Sequence, residues 1–265
     1  MNKRRDAVVK ALMVLSTAAA CAVLVWILSF IMANGLSHIT KDFLSSLVPQ
    51  LITTVYLIAG TLVVALPIGV GTAIYLSEYA KPGKLLSSVR FAIQCLSSIP
   101  SIIYGLFGYV LMGTMLKFGF SLVTGMFTLA VMVLPILIST TEEALMSVPQ
   151  AYREGSWALG AGRLRTTMRI VLPTALPGVI TAAILSIGRI VGETAAVYLT
   201  VGTSLKVPTN LLSSGRTLSV HLYLLAKEAI TPDAFSEAYA TATLLIFVVL
   251  GINLLVRLTT RWKKG

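Results

Sequence analysis

Long uncharged, apolar runs separated by short charged connections dominate the chain. Five runs carry no ionisable Asp, Glu, Lys or Arg: 11–40, 43–77, 91–116, 118–141 and 238–256. A sixth run, 170–205, is interrupted only by Arg189 and Glu193. An α-helix needs about 20 apolar residues to cross a bilayer, and none of these runs alternates with the period of two that a barrel strand requires. The pattern therefore predicts six transmembrane helices, at about 11–33, 50–77, 88–116, 119–141, 174–202 and 236–257.

The composition excludes a soluble globule. Hydrophobic residues make up 56% of the 265 positions and charged residues only 12%, whereas a soluble domain carries about 25% charged residues. The formal charge of +11 comes from basic residues at the ends of the apolar runs, where they contact lipid headgroups rather than nucleic acid. Cys21 and Cys95 both lie inside apolar runs and match neither a disulfide framework nor a metal-ligand spacing. We therefore expect an all-α integral membrane protein without a metal site.

The basic residues also predict an orientation. Lys3, Arg4 and Arg5 before an apolar run resemble a signal peptide, but the run is too long for a removable segment, so we expect an uncleaved first helix. Fifteen Lys and Arg residues fall in connections on the side of the N-terminus and five in the others. The positive-inside rule then places both termini in the cytoplasm. The expected organisation is a cytoplasmic segment 1–10, one transmembrane domain 11–258 with a cytoplasmic loop 142–169, and a basic tail 259–265.

The loop between the fourth and fifth predicted helices carries the most information. Pro149 is typical of a helix start, so 150–159 is expected to form a short helix that Gly160 ends by adopting a positive φ. Gly162 would open a second helix that runs into the membrane. Tyr152 and Leu159 fall on one face of the short helix. Such a rigid helix could dock onto another protein, or it could lie on lipid as an ordinary amphipathic helix.

The same loop carries a family resemblance. Its acidic-small-small triplet, a following glycine and an isoleucine-any-leucine-proline element are Glu154, Gly155, Ser156, Gly160, Ile170, Leu172 and Pro173. This spacing resembles the cytoplasmic EAA loop of ABC importer permeases, although Gly155 and Ser156 stand where alanines are usual. The resemblance implies the type I ABC importer permease fold with six helices, in a bacterial inner membrane. It also implies that these seven residues couple the permease to a partner ATPase.

Two further segments, 99–108 and 188–194, resemble the phosphate-specific branch of that family, and segment 217–223 resembles its PstA type more than its PstC type. The resemblance implies a phosphate importer with a second, PstC-like permease, two copies of a PstB-like ATPase and an external PstS-like phosphate-binding protein. The sequence has no P-loop and no catalytic cluster, so ATP and magnesium are expected on the ATPase and no cofactor or catalytic residue in this chain.

Arg189 and Glu193 are the two charges inside the sixth apolar run. If the helix is continuous, their spacing of four places both on one face, beside a small-residue stripe of Gly188 and Gly192 that would pack against a neighbouring helix. One interpretation is an internal salt bridge. The other is that Arg189 contacts the travelling anion, which its planar guanidinium suits, while Glu193 holds Arg189 and prevents overly tight binding.

Two other functions stay open at this stage. One is a permease for another oxyanion, such as sulfate, molybdate or phosphonate. The other is an ion-gradient-driven carrier or a channel that needs no ATPase, which the EAA-like loop argues against.

Overall fold

The computed structural model describes residues 3–228 and 232–262, with side chains placed within 8–228 and 234–254. The parts of the predicted termini at 1–2 and 263–265 lie outside these ranges. Within them the chain is helical and contains no strand. The helices are α1 Lys3–Gly35, α2 Lys41–Ser46, α3 Val48–Ile74, α4 Lys84–Ser98, α5 Ser101–Gly108, α6 Leu122–Met146, α7 Gln150–Ala158, α8 Arg163–Thr166, α9 Leu172–Gly192, α10 Ala195–Thr200, α11 Leu218–Glu228 and α12 Pro232–Trp262.

Three π-helical turns extend these helices, at Tyr75–Tyr79 after α3, Tyr109–Met115 after α5 and Thr167–Val171 between α8 and α9. With these turns included, five segments are long and apolar enough to cross a membrane: Val8–His38, Val48–Tyr79, Leu122–Met146, Arg163–Gly192 and Ala234–Leu254. A sixth crossing is possible if the bent pair Lys84–Ser98 and Ser101–Met115 acts as one span.

Helix α6 lies at the centre of the bundle and packs between α3 and α9. Two-thirds of its most apolar window is buried, against 28% for the windows of the α3 and α9 spans. Glycines allow this close packing, because a Cβ at Gly69 would overlap Leu137 and a Cβ at Gly178 would overlap Ala144. The core is therefore built around one helix, and the other spans are partly uncovered.

Helix α1 is the most exposed element. None of its apolar window is buried, and it packs against α12, with the ring of Phe30 edge-on to Tyr239 at 5.8 Å. The backbone of Gly35 also approaches α12 so closely that a Cβ there would overlap Tyr239 and Thr243. Most of the surface of α1 is thus left to lipid or to another chain.

The predicted third helix, 88–116, is wrong as a single straight element. The chain bends by 96° between α4 and α5. Ile99 is extended, with φ −68° and ψ 131°, because the ring of Pro100 disfavours a helical residue before it. The hydroxyl of Tyr104 donates to the carbonyl of Leu96 at 2.7 Å and bridges the bend.

The predicted fifth helix, 174–202, is also corrected. The helical segment begins at Arg163, directly after Gly162 as the loop pattern predicts, and continues past 174 without a separate start there, so that Pro173 and Pro177 lie within it. The π-turn Thr167–Val171 directly precedes Pro173, and such a widened turn is where a helix tolerates the missing proline N–H. The segment ends at Gly192, because Glu193 is extended with φ −76° and ψ 124°. The short helix α10 then begins separately.

Candidate coupling loop and substrate path

The loop helix forms as the sequence predicts. Helix α7 begins directly after Pro149 and ends at Ala158, and Gly160 adopts φ +80°. The N–H of Gly160 donates to the carbonyl of Trp157 at 2.9 Å, and the N–H of Ala161 donates to that of Ser156 at 3.1 Å. These two bonds form a Schellman motif, which requires a residue with positive φ at the position of Gly160. The turn therefore fixes the direction in which the chain leaves α7.

An open groove of about 610 Å³ runs along α7. Its lining includes Tyr152, Gly155, Ser156, Leu159, Gly160, Arg165 and Ile170. The expected common face of Tyr152 and Leu159 is confirmed, and Leu159 is 90% exposed. Together with the exposed Tyr152 and Trp157 it forms a cluster of uncovered apolar side chains, and such a cluster is typical of a docking surface.

The structure brings four of the seven predicted coupling residues into this groove: Gly155, Ser156, Gly160 and Ile170. Glu154 is exposed on α7 but does not line the groove. Leu172 packs against the core at this end of the bundle, and Pro173 is exposed on the following helix. The hydroxyl groups of Ser156 and Thr166 are 2.9 Å apart and join α7 to α8.

Sequence reasoning missed the residues that anchor the loop. Arg153 is buried and forms an ion pair with Glu78, with 2.7 Å between Nη2 and Oε1. A second ion pair joins Arg90 of α4 to Glu142 of α6 at 2.6 Å. The sequence shows these charges only as the ends of apolar runs, and 75 positions separate Glu78 from Arg153. No local pattern could have paired them.

Arg189 and Glu193 do not share a helix face, so that expectation is wrong. Because α9 ends at Gly192, Arg189 stays on the helix and is exposed, whereas Glu193 is buried in the break. The Oε1 atom of Glu193 accepts from the N–H of Ala196 at 3.3 Å and so caps α10, and its carbonyl accepts from the hydroxyl of Ser219 at 2.8 Å. No ion pair involves Arg189 in the described part of the chain.

The expected packing of Gly188 and Gly192 is not found among the described residues. A Cβ added at either glycine would meet no atom within 4 Å. Thr181, Leu185, Arg189 and Gly192 are all exposed and follow one another at helical spacing. They form an uncovered stripe along α9, defined here as the α9 stripe.

One of the family-like segments contacts the helix that follows the break after α9. Gly105 of α5, in segment 99–108, faces α10, where an added Cβ would lie 2.8 Å from the Cα of Ala196. Helix α10 begins directly after segment 188–194, so the break positions the partner of this close contact.

The opposite end of the bundle from α7 carries the half-buried Arg216 beside the buried His221. Arg216 donates through Nη1 to Nδ1 of His221 at 3.3 Å and through Nε to the carbonyl of Thr203 at 3.0 Å. Burial, and then the charge of Arg216, lower the pKa of His221 to about 4. Arg accepts no hydrogen bond, so Nδ1 is the acceptor and Nε2 carries the proton of the neutral ring.

Comparison with known proteins identifies the family. Residues 65–262 match the family described as the binding-protein-dependent transport system inner membrane component. The chain belongs to this family. It is also 32% identical to the probable ABC transporter permease protein YqgI of Bacillus subtilis, over 97% of this chain and 96% of that one.

Phosphate permeases are among the further relatives. The phosphate transport system permease protein PstA of Haemophilus influenzae is 32% identical, over 91% of this chain and 88% of its own length. PstA of Mycobacterium leprae is 33% identical, over 87% of this chain and 80% of its own.

Solved structures show the same fold. A chain of the inward-facing MetNI methionine ABC transporter matches with a TM-score of 0.66 at 21% identity, over 84% of this chain and 98% of that one. A chain of a bacterial ABC transporter for alginate import matches with a TM-score of 0.63 at 17% identity, over 93% of this chain and 95% of that one. The expected all-α, type I ABC importer permease fold is confirmed, and the chain is a multi-pass inner membrane permease component.

Proposed function

We propose that this chain is the permease subunit of an ATP-driven importer of inorganic phosphate in a bacterial inner membrane. The proposal rests on the similarity to two phosphate transport permeases, which match at 32–33% identity over at least 80% of their own length. The exposed Arg189 supports it, because a guanidinium binds a tetrahedral oxyanion through two parallel hydrogen bonds and keeps its charge at any physiological pH.

Coupling to ATP hydrolysis is assigned to residues 147–173, the part of the predicted loop 142–173 that lies beyond the end of α6 at Met146. The groove that gathers Gly155, Ser156, Gly160 and Ile170 would receive part of a PstB-like ATPase, present in two copies. ATP and magnesium would bind to that ATPase, since this sequence has no P-loop. The permease itself then carries out no chemical step and uses movement supplied at the loop.

The translocation path is assigned to the α9 stripe, shared with a second, PstC-like permease. Arg189 projects from a helix face that this chain leaves uncovered, and an isolated charge at membrane depth is costly unless it faces protein or water. Gly188 and Gly192 would let the second permease approach, since no atom of the described residues lies within 4 Å of a Cβ at either position. Glu193 contributes indirectly, by holding the turn that follows Arg189. Phosphate would arrive from an external PstS-like binding protein.

Purification of the tagged chain in mild detergent tests the assembly. We expect a separate ATPase and a second, non-identical permease to be retained. A chain that is recovered only with copies of itself would contradict the heteromeric importer. It would favour a carrier or channel that needs no ATPase.

Uptake by the complete importer in proteoliposomes tests the substrate. With the external binding protein and internal ATP present, we expect phosphate uptake that unlabelled sulfate, molybdate and phosphonate do not inhibit at equal concentration. Inhibition by one of these anions, with uptake of that anion in a direct assay, would reassign the permease to it.

A further inference from the structure

Two helices of the coupling loop are anchored on one irregular turn at the end of α3. The π-turn Tyr75–Tyr79 places Glu78 against Arg153 of α7, and it places the ring of Tyr79 under the guanidinium of Arg163, 5.2 Å away, at the start of α8. π-turns are rare and often occur at functional positions in helices. Here the turn brings both contacts to the side that faces the loop.

The Arg153 guanidinium joins three elements. Its Nε and Nη2 donate to Oε1 of Glu78 at 3.2 and 2.7 Å. Nη2 also donates to the carbonyl of Leu145 in α6 at 3.0 Å, and Nη1 donates to the carbonyl of Val148, in the link to α7, at 2.7 Å. Less than a tenth of either charged side chain is exposed. Four of the five guanidinium N–H groups are therefore used, on acceptors from α3, α6 and the α6–α7 link.

Stability alone does not explain such an arrangement. Removing two charges from water costs about as much as their attraction returns, so an apolar pair of similar volume often stabilises a protein equally well. An apolar pair, however, forms no directional contacts and tolerates a shift of one helix against another. If α7 moved relative to α3 or α6, the buried guanidinium would lose an acceptor or Glu78 would lose its counter-charge, and either loss is costly.

We propose that the Glu78–Arg153 pair is a positioning device that makes α7 and the adjoining ends of α3 and α6 move as one unit, so that displacement of the loop by the ATPase is passed to the transmembrane helices. The proposal rests on the proposed function, since it requires an ATPase that moves the loop. Arg153 and Glu78 touch no substrate in this scheme and act through the helices that they join.

The double variant Glu78→Met/Arg153→Met tests the proposal, because it removes both charges together and leaves neither one buried alone. In the complete importer we expect the ATPase to stay bound and ATP to be hydrolysed, while phosphate uptake per ATP falls about three- to thirty-fold, the range for residues that carry coupling between distant sites. Uptake per ATP in Arg153→Lys should lie between the values of the unaltered importer and the double Met variant. A compact ammonium keeps the charge but cannot reach all the acceptors of the guanidinium at once.

Arg90→Met/Glu142→Met is the matched control. It removes an ion pair of the same residue types that joins α4 to α6 and, in the described part of the chain, has no recorded hydrogen bond to α7. Its uptake per ATP should equal that of the unaltered importer.

Three outcomes would overturn the proposal. They are an unchanged uptake per ATP in the double Met variant, an equal fall in the control, and loss of the ATPase from the double Met complex. If the double Met variant does not accumulate in the membrane, Arg153→Lys decides the matter, and a normal ratio in that variant also refutes the proposal. Stimulation of ATP hydrolysis by the loaded binding protein is measured in parallel, and it should weaken in the double Met variant. This readout tests coupling and does not depend on which anion is transported. An unaltered importer that moves a different anion would refute phosphate as substrate and leave the coupling test intact.

Discussion

At the residue scale, Arg189 and Glu193 differ in role because α9 ends between them. A continuous helix would have made them partners, but the extended backbone at Glu193 turns its carboxylate towards the N–H of Ala196. Arg189 is left exposed with no acidic partner recorded in the described residues. The interpretation of an internal salt bridge therefore loses its geometric basis, and the interpretation as an anion contact gains support.

Arg189→Gln should reduce phosphate uptake about ten- to hundred-fold, because a neutral amide forfeits a charge-assisted hydrogen bond to the anion. The complex should still assemble, and uptake by purified importer in proteoliposomes measures the loss. Glu193→Gln is the control, since its amide oxygen can still accept from the Ala196 N–H and keep the cap on α10. Near-normal uptake by Arg189→Gln, alone or combined with Glu193→Gln, would remove Arg189 from the path.

His221 makes the end of the bundle opposite α7 sensitive to acid. Its pKa in the folded protein, lowered to about 4, lies below the ordinary value of 6.5, so the folded state favours the neutral ring. The stabilisation is complete above pH 6.5 and is lost as pH falls towards 4, for a total of roughly 3 kcal/mol. We expect the melting temperature of the purified importer to fall over this range.

His221→Gln should flatten that part of the pH profile, because a glutamine does not ionise. His38→Gln is the matched control, since His38 is exposed, and it should leave the profile unchanged. Equal profiles for the unaltered protein and His221→Gln would show that other groups cause the acid sensitivity.

At the element scale, the geometry of α7 depends on the turn that ends it. Gly160 and Gly162 are two residues apart, and a Cβ at either would meet no atom within 4 Å. They differ in backbone: φ is +80° at Gly160 and −71° at Gly162. A difference between substitutions at the two positions therefore reports no clash within the permease, but either the left-handed backbone of Gly160 or its position in the groove.

Gly160→Ala should weaken association with the ATPase about five- to thirty-fold, because a left-handed backbone costs an L-residue about 1–2 kcal/mol and the Schellman turn would relax to another geometry. Gly162→Ala should associate normally. Binding of the purified ATPase to permease in detergent measures both. Equal affinities for the two variants would mean that the groove beside α7 is not the contact, or that its shape does not depend on the turn.

The sequence predicted those elements whose cause is local. The apolar runs located the spans, Pro149 and Gly160 bounded α7, and the bend before α5 was readable in Pro100, although a straight helix was expected there. The break after Gly192 combines a local hydrogen bond, from the Ala196 N–H to Glu193, with one from Ser219, 26 positions away, and the second is not readable from the sequence. The same holds for the pairing of Glu78 with Arg153, which only the folded bundle reveals.

At the scale of the whole molecule, too many helix faces of this single chain are exposed for it to enclose a translocation path alone. Helix α1 is exposed along its apolar window, and the α9 stripe has no neighbour in the described residues. Large uncovered apolar faces in a membrane protein are met by lipid or by another subunit, but a stripe that includes an arginine favours protein or water. The uncovered α9 stripe thus supports the proposal that a second permease packs against this chain.

The orientation of the chain in the membrane is predicted from its basic residues, and its test is the last prediction. Leu164, in α8, and Leu205, between α10 and α11, are both exposed leucines, and they lie at opposite ends of the bundle. The excess of Lys and Arg in the connections on the α7 side predicts that Leu164 lies in the cytoplasm and Leu205 outside.

In a background without Cys21 and Cys95, Leu205→Cys should react with an impermeant thiol reagent in intact cells, and Leu164→Cys should react only after the membrane is opened. Because the two positions carry the same residue type and similar exposure, reactivity itself is matched. Labelling of Leu164→Cys in intact cells would invert the orientation, and it would place the groove beside α7 where no cytoplasmic ATPase could reach it.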